Sequence, residues 1–274
     1  MSQDNIGQFR PRGGFPAQSE LVFSRSVSRF DYAIRPPVNM CRSALPGWEK
    51  AIVWVLASPA IGYGCAFAEY LMHVEPGGGA DEPEPEAGVE GFVYVLEGEL
   101  ALQAQASPHR LTAGQYAYLP PDFGWGVRNL AGGLLRFLWV RKAYQPYKDL
   151  QPKFLLGDER AIPTRSITGE AGWAAKYLLP DGDMAYDLAM SISEFPSGGV
   201  HAYVETHPEE HGLYMLQGQG VYFLGSEWHE VAEGDFIWMR AYCPQSFYAG
   251  GAAPTRYLNY KNANRQILLK ADHE

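Results

Sequence analysis

Short runs rich in Val, Tyr, Phe and Trp alternate with Gly, Pro and Asp punctuation along the whole chain, and sustained helical periodicity is scarce. This pattern predicts an all-β protein. The uncharged stretch from Ala51 to Ala68 is about as long as a bilayer span, but Pro59, Gly62 and Gly64 interrupt it. Two buried strands joined by a turn are expected there, and no membrane span.

The same pattern repeats. Phe92 to Gly98 reads FVYVLEG, and Gly212 to Gly218 reads GLYMLQG, an offset of 120 residues. Without a gap, that offset carries Pro76 onto Pro196, Gly79 onto Gly199, Gly114 onto Gly234, Tyr118 onto Trp238 and Arg136 onto Arg256. The expected organisation is an N-terminal arm over 1–50, a first β domain over 51–145, a linker over 146–175, a second β domain over 176–268 and a tail over 269–274. Pro152, Gly157, Pro163 and Gly169 make the linker read as an irregular connection. The arm, with Phe9, Phe15, Phe23, Phe30 and Tyr32, is too aromatic for a disordered tail and is expected to pack on a domain or a neighbouring subunit.

Composition narrows the function. The chain has 274 residues, is 46% hydrophobic and carries a net charge of −9, which argues against a nucleic-acid surface and for a small-molecule role. Three widely spaced cysteines, Cys41, Cys65 and Cys243, form no disulfide framework and no zinc-finger spacing. Met1 to Arg12 is polar and lacks the apolar run of a secretory signal, so a cytoplasmic protein is expected.

Candidate chemistry is concentrated in the second repeat, where residues 201–211 read HAYVETHPEEH. On a strand, Glu205 and His207 would share one face. Pro208 would end that strand and His211 would begin the return. With Gln245, these residues form a mixed nitrogen and oxygen donor set suited to Mn, Fe, Co, Ni or Zn rather than Ca. Glu209 and Glu210 read as solvated turn residues or partners of the imidazoles. His73, His109, His201, His229 and His273 fall at no ligand position and read as surface or core histidines, His201 being the least certain of them.

Gly199, Glu205, His207, His211, Gly218, Gly234 and Gln245 stand where the two cupin motifs place their glycines and metal ligands, so the chain resembles a protein of two tandem cupin domains, a double-stranded β-helix or jelly-roll fold. The set is permuted from the usual cupin His, His, Glu and His, and resembles that of the (S)-ureidoglycine aminohydrolase family. The further local matches are ETHPEEHG at 205–212, QGQGVY at 217–222 and the tail from Tyr257 through Lys261 to Arg265. That resemblance implies Mn²⁺ on Glu205, His207, His211 and Gln245, and a small ureido substrate contacted by Tyr222, Tyr257, Lys261 and Glu205. Glu205 and Lys261 would be catalytic, in a hydrolysis yielding (S)-ureidoglycolate and ammonia during allantoin breakdown.

At the four ligand places, the offset puts Pro85, Ala87, Gly91 and Trp125 in the first repeat, which implies a metal-free first domain. It also sets Leu102, Phe137 and Arg141 opposite Tyr222, Tyr257 and Lys261. Another metal-dependent cupin enzyme, a dioxygenase or isomerase of a small acid, is the first rival reading; a non-enzymatic ligand-binding bicupin is the second. Exposed sheet edges and the aromatic arm lead us to expect a homo-oligomer.

Overall fold

The computed structural model describes residues 25–40, 42–61, 64–105, 107–167 and 172–262. Among these the regular structure is almost entirely strand, interrupted by three single-turn 3₁₀ helices at Pro37–Asn39, Pro59–Ile61 and Glu159–Ala161. Among the described residues no helix is long and apolar enough to cross a membrane. The stretch read as two buried strands is formed by Glu49–Ala57 and the start of Phe67–Ala80, with the Pro59–Ile61 turn between them.

The described chain divides into two compact units. One contains residues 38–144 and 153–161, the other 25–37, 145–152 and 162–262. In the first, the sheet runs from Leu155–Asp158 through Gln115–Leu119, Val89–Glu97, Leu135–Ala143, Phe67–Ala80, Trp125–Arg128 and Glu99–Ala104 to Ser107–Thr112. In the second, the order Tyr32–Arg35, Phe236–Met239, His211–Gln217, Thr255–Asn262, Leu188–Phe195 and Ala174–Tyr177 forms the large sheet. A separate three-stranded sheet joins Glu227–Ala232, Gln219–Leu224 and Gln245–Gly250. The inward faces of the second unit enclose Phe195, Leu213, Met215, Tyr222, Phe247 and Tyr257. Fully burying each such side chain contributes roughly 1.5–3 kcal/mol.

Backbone details repeat along with the residues. Val95 pairs with Phe137 and Glu97 with Arg136 around a bulge, and Met215 pairs with Tyr257 and Gln217 with Arg256 around another. The turn after each bulge is a glycine in the left-handed region, Gly98 at φ 83° and Gly218 at φ 79°. A Cβ there would stand 2.5 Å from Leu134 O or 2.6 Å from Pro254 O, so only glycine fits. Asp122 and Tyr242, again 120 residues apart, share the left-handed conformation at φ 58° and 64°.

Two segments depart from the expected organisation. The stretch read as an irregular linker carries the strands Leu155–Asp158, Arg165–Ser166 and Ala174–Tyr177. These have only two to four residues, too short to show a period in the sequence. The arm also divides: Tyr32–Arg35 pairs with Phe236–Met239 of the second unit, whereas Arg42–Ser43 pairs with Glu49–Ala57 of the first. Leu155–Asp158 takes the matching place beside Gln115–Leu119 in the first unit. The stretch before each repeat therefore supplies an edge strand to the other repeat's unit.

Candidate metal centre

The loop 196–210 carries Glu205 and His207. It is not the strand expected there, because its ladder contacts are limited to single bridges, Val200 to Tyr248 and Glu205 to Gln245. The second bridge is reciprocal: Glu205 N–H donates to Gln245 O and Gln245 N–H to Glu205 O, each at 3.0 Å. Residues paired in this way project their side chains to the same side. His207, two residues along an extended chain, follows Glu205, and Tyr242 N–H holds the His207 carbonyl at 2.8 Å.

The other residues arrive from the sheets. His211 opens its strand and pairs directly with Lys261, so the two share a face. Tyr257, Asn259 and Lys261 alternate along that inward face. Tyr222 pairs with Phe247, and Leu224 with Gln245, which aims the tyrosine and the glutamine into the same interior.

All seven residues singled out in the sequence thus converge at one end of the second unit. His207 Nε2 lies 2.9 Å from Gln245 Nε2 and 3.9 Å from Glu205 Oε1, and the two imidazole centroids are 4.5 Å apart. Tyr222, 2% exposed, donates its hydroxyl to Gln245 Oε1 at 3.1 Å. Tyr222 is also hydrogen-bonded with Tyr257, and Tyr257 with Ser193, whose Oγ accepts from Trp173 Nε1 at 3.3 Å. Burial holds the Tyr222 phenol well above its usual pKa and pushes that of Tyr257 up to about 12, so both remain protonated donors. Lys261 is drawn down by burial and supported in its charge by Glu209 and Glu205.

His211 is 3% exposed, and neither ring nitrogen has a hydrogen-bond partner. Burial, with Lys261 and His207 nearby, keeps it neutral, the form that offers lone pairs. Among the described residues, no three His, Cys, Asp or Glu side chains stand in a metal-holding arrangement. The direct contact between the Gln245 amide and His207 draws the donors together there instead.

One neighbour was not recognised in the sequence, and a second, Glu209, is the partner of an imidazole that one of its two readings allowed. His201 is buried between Trp173, at 4.4 Å, and Tyr203, at 4.6 Å, with its Nε2 3.6 Å from Glu205 Oε2. The signal was present, since residues 201, 205 and 207 have the same parity on an extended chain. Glu209 Oε2 stands 2.8 Å from His207 Nδ1, and Glu210 is committed elsewhere, accepting from Trp238 Nε1 at 2.6 Å.

The first unit corrects the internal comparison. Gly77 and Gly78 bond Asn129 as Gly198 and Gly199 bond Ala249, so this segment is displaced by 121 residues rather than 120. The offset returns to 120 by Gly91 and His211, which pair with the corresponding residues Arg141 and Lys261. Carried forward, the first register puts Glu84, not Pro85, in the place of Glu205, and Glu86 in that of His207. Both carboxylates are ion-paired with Arg141, that of Glu86 at 3.2 Å. A cavity of about 290 Å³ there is lined by Glu84, Glu86, Gly91, Trp125 and Trp139.

The cupin domain family matches this chain twice, over residues 70–141 and 191–260. A probable (S)-ureidoglycine aminohydrolase of Oryza sativa subsp. japonica is 34% identical over 90% of this chain and 78% of its own length. The chain belongs to the (S)-ureidoglycine aminohydrolase family. The (S)-ureidoglycine aminohydrolase of Escherichia coli is 29% identical over 92% of this chain and 96% of its own. The solved structure of a putative glyoxylate induced protein from Pseudomonas aeruginosa is 38% identical, with a TM-score of 0.86 over 97% of this chain and 99% of that one. All-β architecture and two cupin domains are common ground of these matches and the strand order described above.

Proposed function

We propose that this chain hydrolyses (S)-ureidoglycine to (S)-ureidoglycolate and ammonia in allantoin degradation, with manganese held by Glu205, His207, His211 and Gln245. The observation that carries the reading is the reciprocal bridge that sets Gln245 beside Glu205, with the Gln245 amide against His207 Nε2. The donor set fits a divalent transition metal: two imidazoles, a carboxylate and, with the Gln245 amide turned over, an amide oxygen, with no thiolate. His211 adds a specific argument, because a buried ring with two unpartnered nitrogens is costly unless something is bound to it.

A bound divalent ion supplies a positive centre that polarises and orients the substrate. The chain's own groups supply the rest. Lys261 pairs its ammonium with the substrate carboxylate, and the Tyr222 and Tyr257 hydroxyls hydrogen-bond the bound molecule. Glu205 accepts the proton of the incoming water and returns it to the departing amine, as a general base and then acid. One C–N bond breaks, one C–O bond forms, and ammonia leaves.

The test is to supply freshly generated ureidoglycine to protein loaded with Mn²⁺ and follow ammonia release and product chirality. Metal-dependent ammonia release with the S product is expected. No release from metal-loaded, folded protein overturns the proposal.

A further inference from the structure

We infer that Glu209 is a positioning residue that fixes which nitrogen of His207 faces the centre, and so tunes the affinity of the site for its ion. This rests on the metal reading above and extends it to a residue outside the ligand set.

The two ring nitrogens of His207 have different neighbours. Nδ1 lies 2.8 Å from Glu209 Oε2, within hydrogen-bond reach although the ring N–H does not point straight at the oxygen. Nε2 lies 2.9 Å from Gln245 Nε2. An ionised carboxylate only accepts, so the nitrogen beside Glu209 is the one that carries hydrogen. An amide nitrogen only donates, so the nitrogen beside Gln245 is bare. In the metal-free site Tyr222 supports the second statement, because its hydroxyl donates to Gln245 Oε1 and leaves the amide nitrogen turned toward His207, an orientation that reverses when the amide oxygen meets an ion. Both neighbours therefore select one tautomer, with the Nε2 lone pair directed toward Glu205 and Gln245.

The ring nitrogen that binds a metal is set by the hydrogen bond made by the other, and carboxylate partners of ligating histidines raise ligand basicity. Among the described residues no carboxylate stands as close to a nitrogen of His211 as Glu209 does to His207 Nδ1, so the effect is specific to His207. The nearness of His207, and to a lesser degree the charge of Lys261, favours the ionised form of Glu209. No carboxylate occupies its place in the first repeat, where both registers fall on apolar residues, Val89 or Gly88.

The experiment compares full-length wild type, Glu209→Gln and Glu209→Ala, using long-range ¹H–¹⁵N spectra of the histidine rings without metal and Mn²⁺ titration by EPR. A His207→Asn protein assigns the ring signals. In wild type, His207 should be the Nδ1–H tautomer. Glu209→Ala should lose that preference and weaken Mn²⁺ binding about 10- to 100-fold. Glu209→Gln, whose carbonyl still accepts from Nδ1–H, should keep the tautomer and lose less affinity. Glu209 carries a half-exposed side chain on a loop, so unchanged thermal melting is expected for both variants. A Glu209→Ala protein with the wild-type tautomer and Mn²⁺ affinity within about twofold overturns the inference, against the loss such partners usually cause. Should wild type take up no Mn²⁺, the metal reading fails by itself, and the metal-free ring spectra still decide the part played by Glu209.

Discussion

Tyr222→Phe separates a tyrosine that merely fills the core from one that organises the site. The ring of Tyr222 packs 5.2 Å from that of Phe247 and 6.3 Å from that of Tyr257, and the substitution keeps all of that packing. What it removes is one hydroxyl, which donates to Gln245 Oε1 at 3.1 Å and is bonded with Tyr257. Each buried partner left without a hydrogen bond costs about 1–3 kcal/mol, offset in part because the lost hydroxyl no longer has to be desolvated. A net loss of about 1–2 kcal/mol follows, which lowers the melting midpoint by roughly 3–10 °C for a unit of this size. The Gln245 amide also loses the donor that sets its orientation. If Tyr222 holds substrate and the amide together, kcat/KM should fall at least roughly tenfold, the equivalent of about 1.4 kcal/mol. Calorimetry and steady-state ammonia release measure the two effects. An unchanged melting midpoint would show that the hydrogen bond is not made, and a lowered midpoint with wild-type kcat/KM would reduce Tyr222 to a core residue.

Three further outcomes are expected. Lys261→Met keeps the aliphatic stem but removes a partly buried charge, so stability should hold or rise while KM increases more than tenfold, as one lost carboxylate pairing predicts; an unchanged KM would remove Lys261 from substrate binding. Gly218→Ala, with φ 79° and a Cβ 2.6 Å from Pro254 O, should destabilise the second unit by at least about 2 kcal/mol, and a wild-type melting curve would contradict the backbone argument. Glu69, 2% exposed in the first unit, has its carboxyl raised by burial from 4.5 to about 8. Its raised folded pKa means that stability is fully present below the unfolded value and declines as pH climbs through 8. Glu69→Gln should therefore flatten the fall in melting temperature between pH 5 and 8.5, on the order of a few kcal/mol at most; parallel profiles would exclude it.

What could be read from the sequence follows from what the repeat conserves. Alternation and punctuation indicated strands, and the 120-residue echo from Phe92 to Gly212 located both units, because glycine-dependent turns such as Gly98 and Gly218 tolerate no other residue. Gln245 was reached through motif resemblance, since nothing local marks a lone glutamine, and the structure brings it to Glu205 through a backbone bridge. The exchanged edge strands were not readable: their few residues carry pairing information only in the sheet they join. His201 was passed over for a different reason. Its parity matched Glu205, but its distance from any cupin motif position outweighed that signal.

The register slip in the first repeat changes the meaning of its lost ligands. A gap-free offset gave Pro85 and Ala87, which implied a first domain without metal ligands. The hydrogen bonds of Gly77 and Gly78 shift the comparison by one residue and bring Glu84 and Glu86 to the mouth of the first unit, where both grip Arg141. The two units therefore share a basic residue on the same strand position, Arg141 or Lys261, opposite acidic residues from the preceding loop. In the first unit the guanidinium pairs with both carboxylates, the buried Glu84 at a desolvation cost and with its Oε2 left without a hydrogen bond, and the exposed Glu86. A histidine at Gly91 would need Leu119 and Trp139 to shift, because a Cβ there would already touch Leu119 Cδ1 and Trp139 Nε1 at 3.4 Å, leaving no space beyond it for a ring. Trp139 and Leu119 thus fill the space beside Gly91, whereas in the second unit the smaller Asn259 stands where Trp139 does and the position of Gly91 holds the His211 ring.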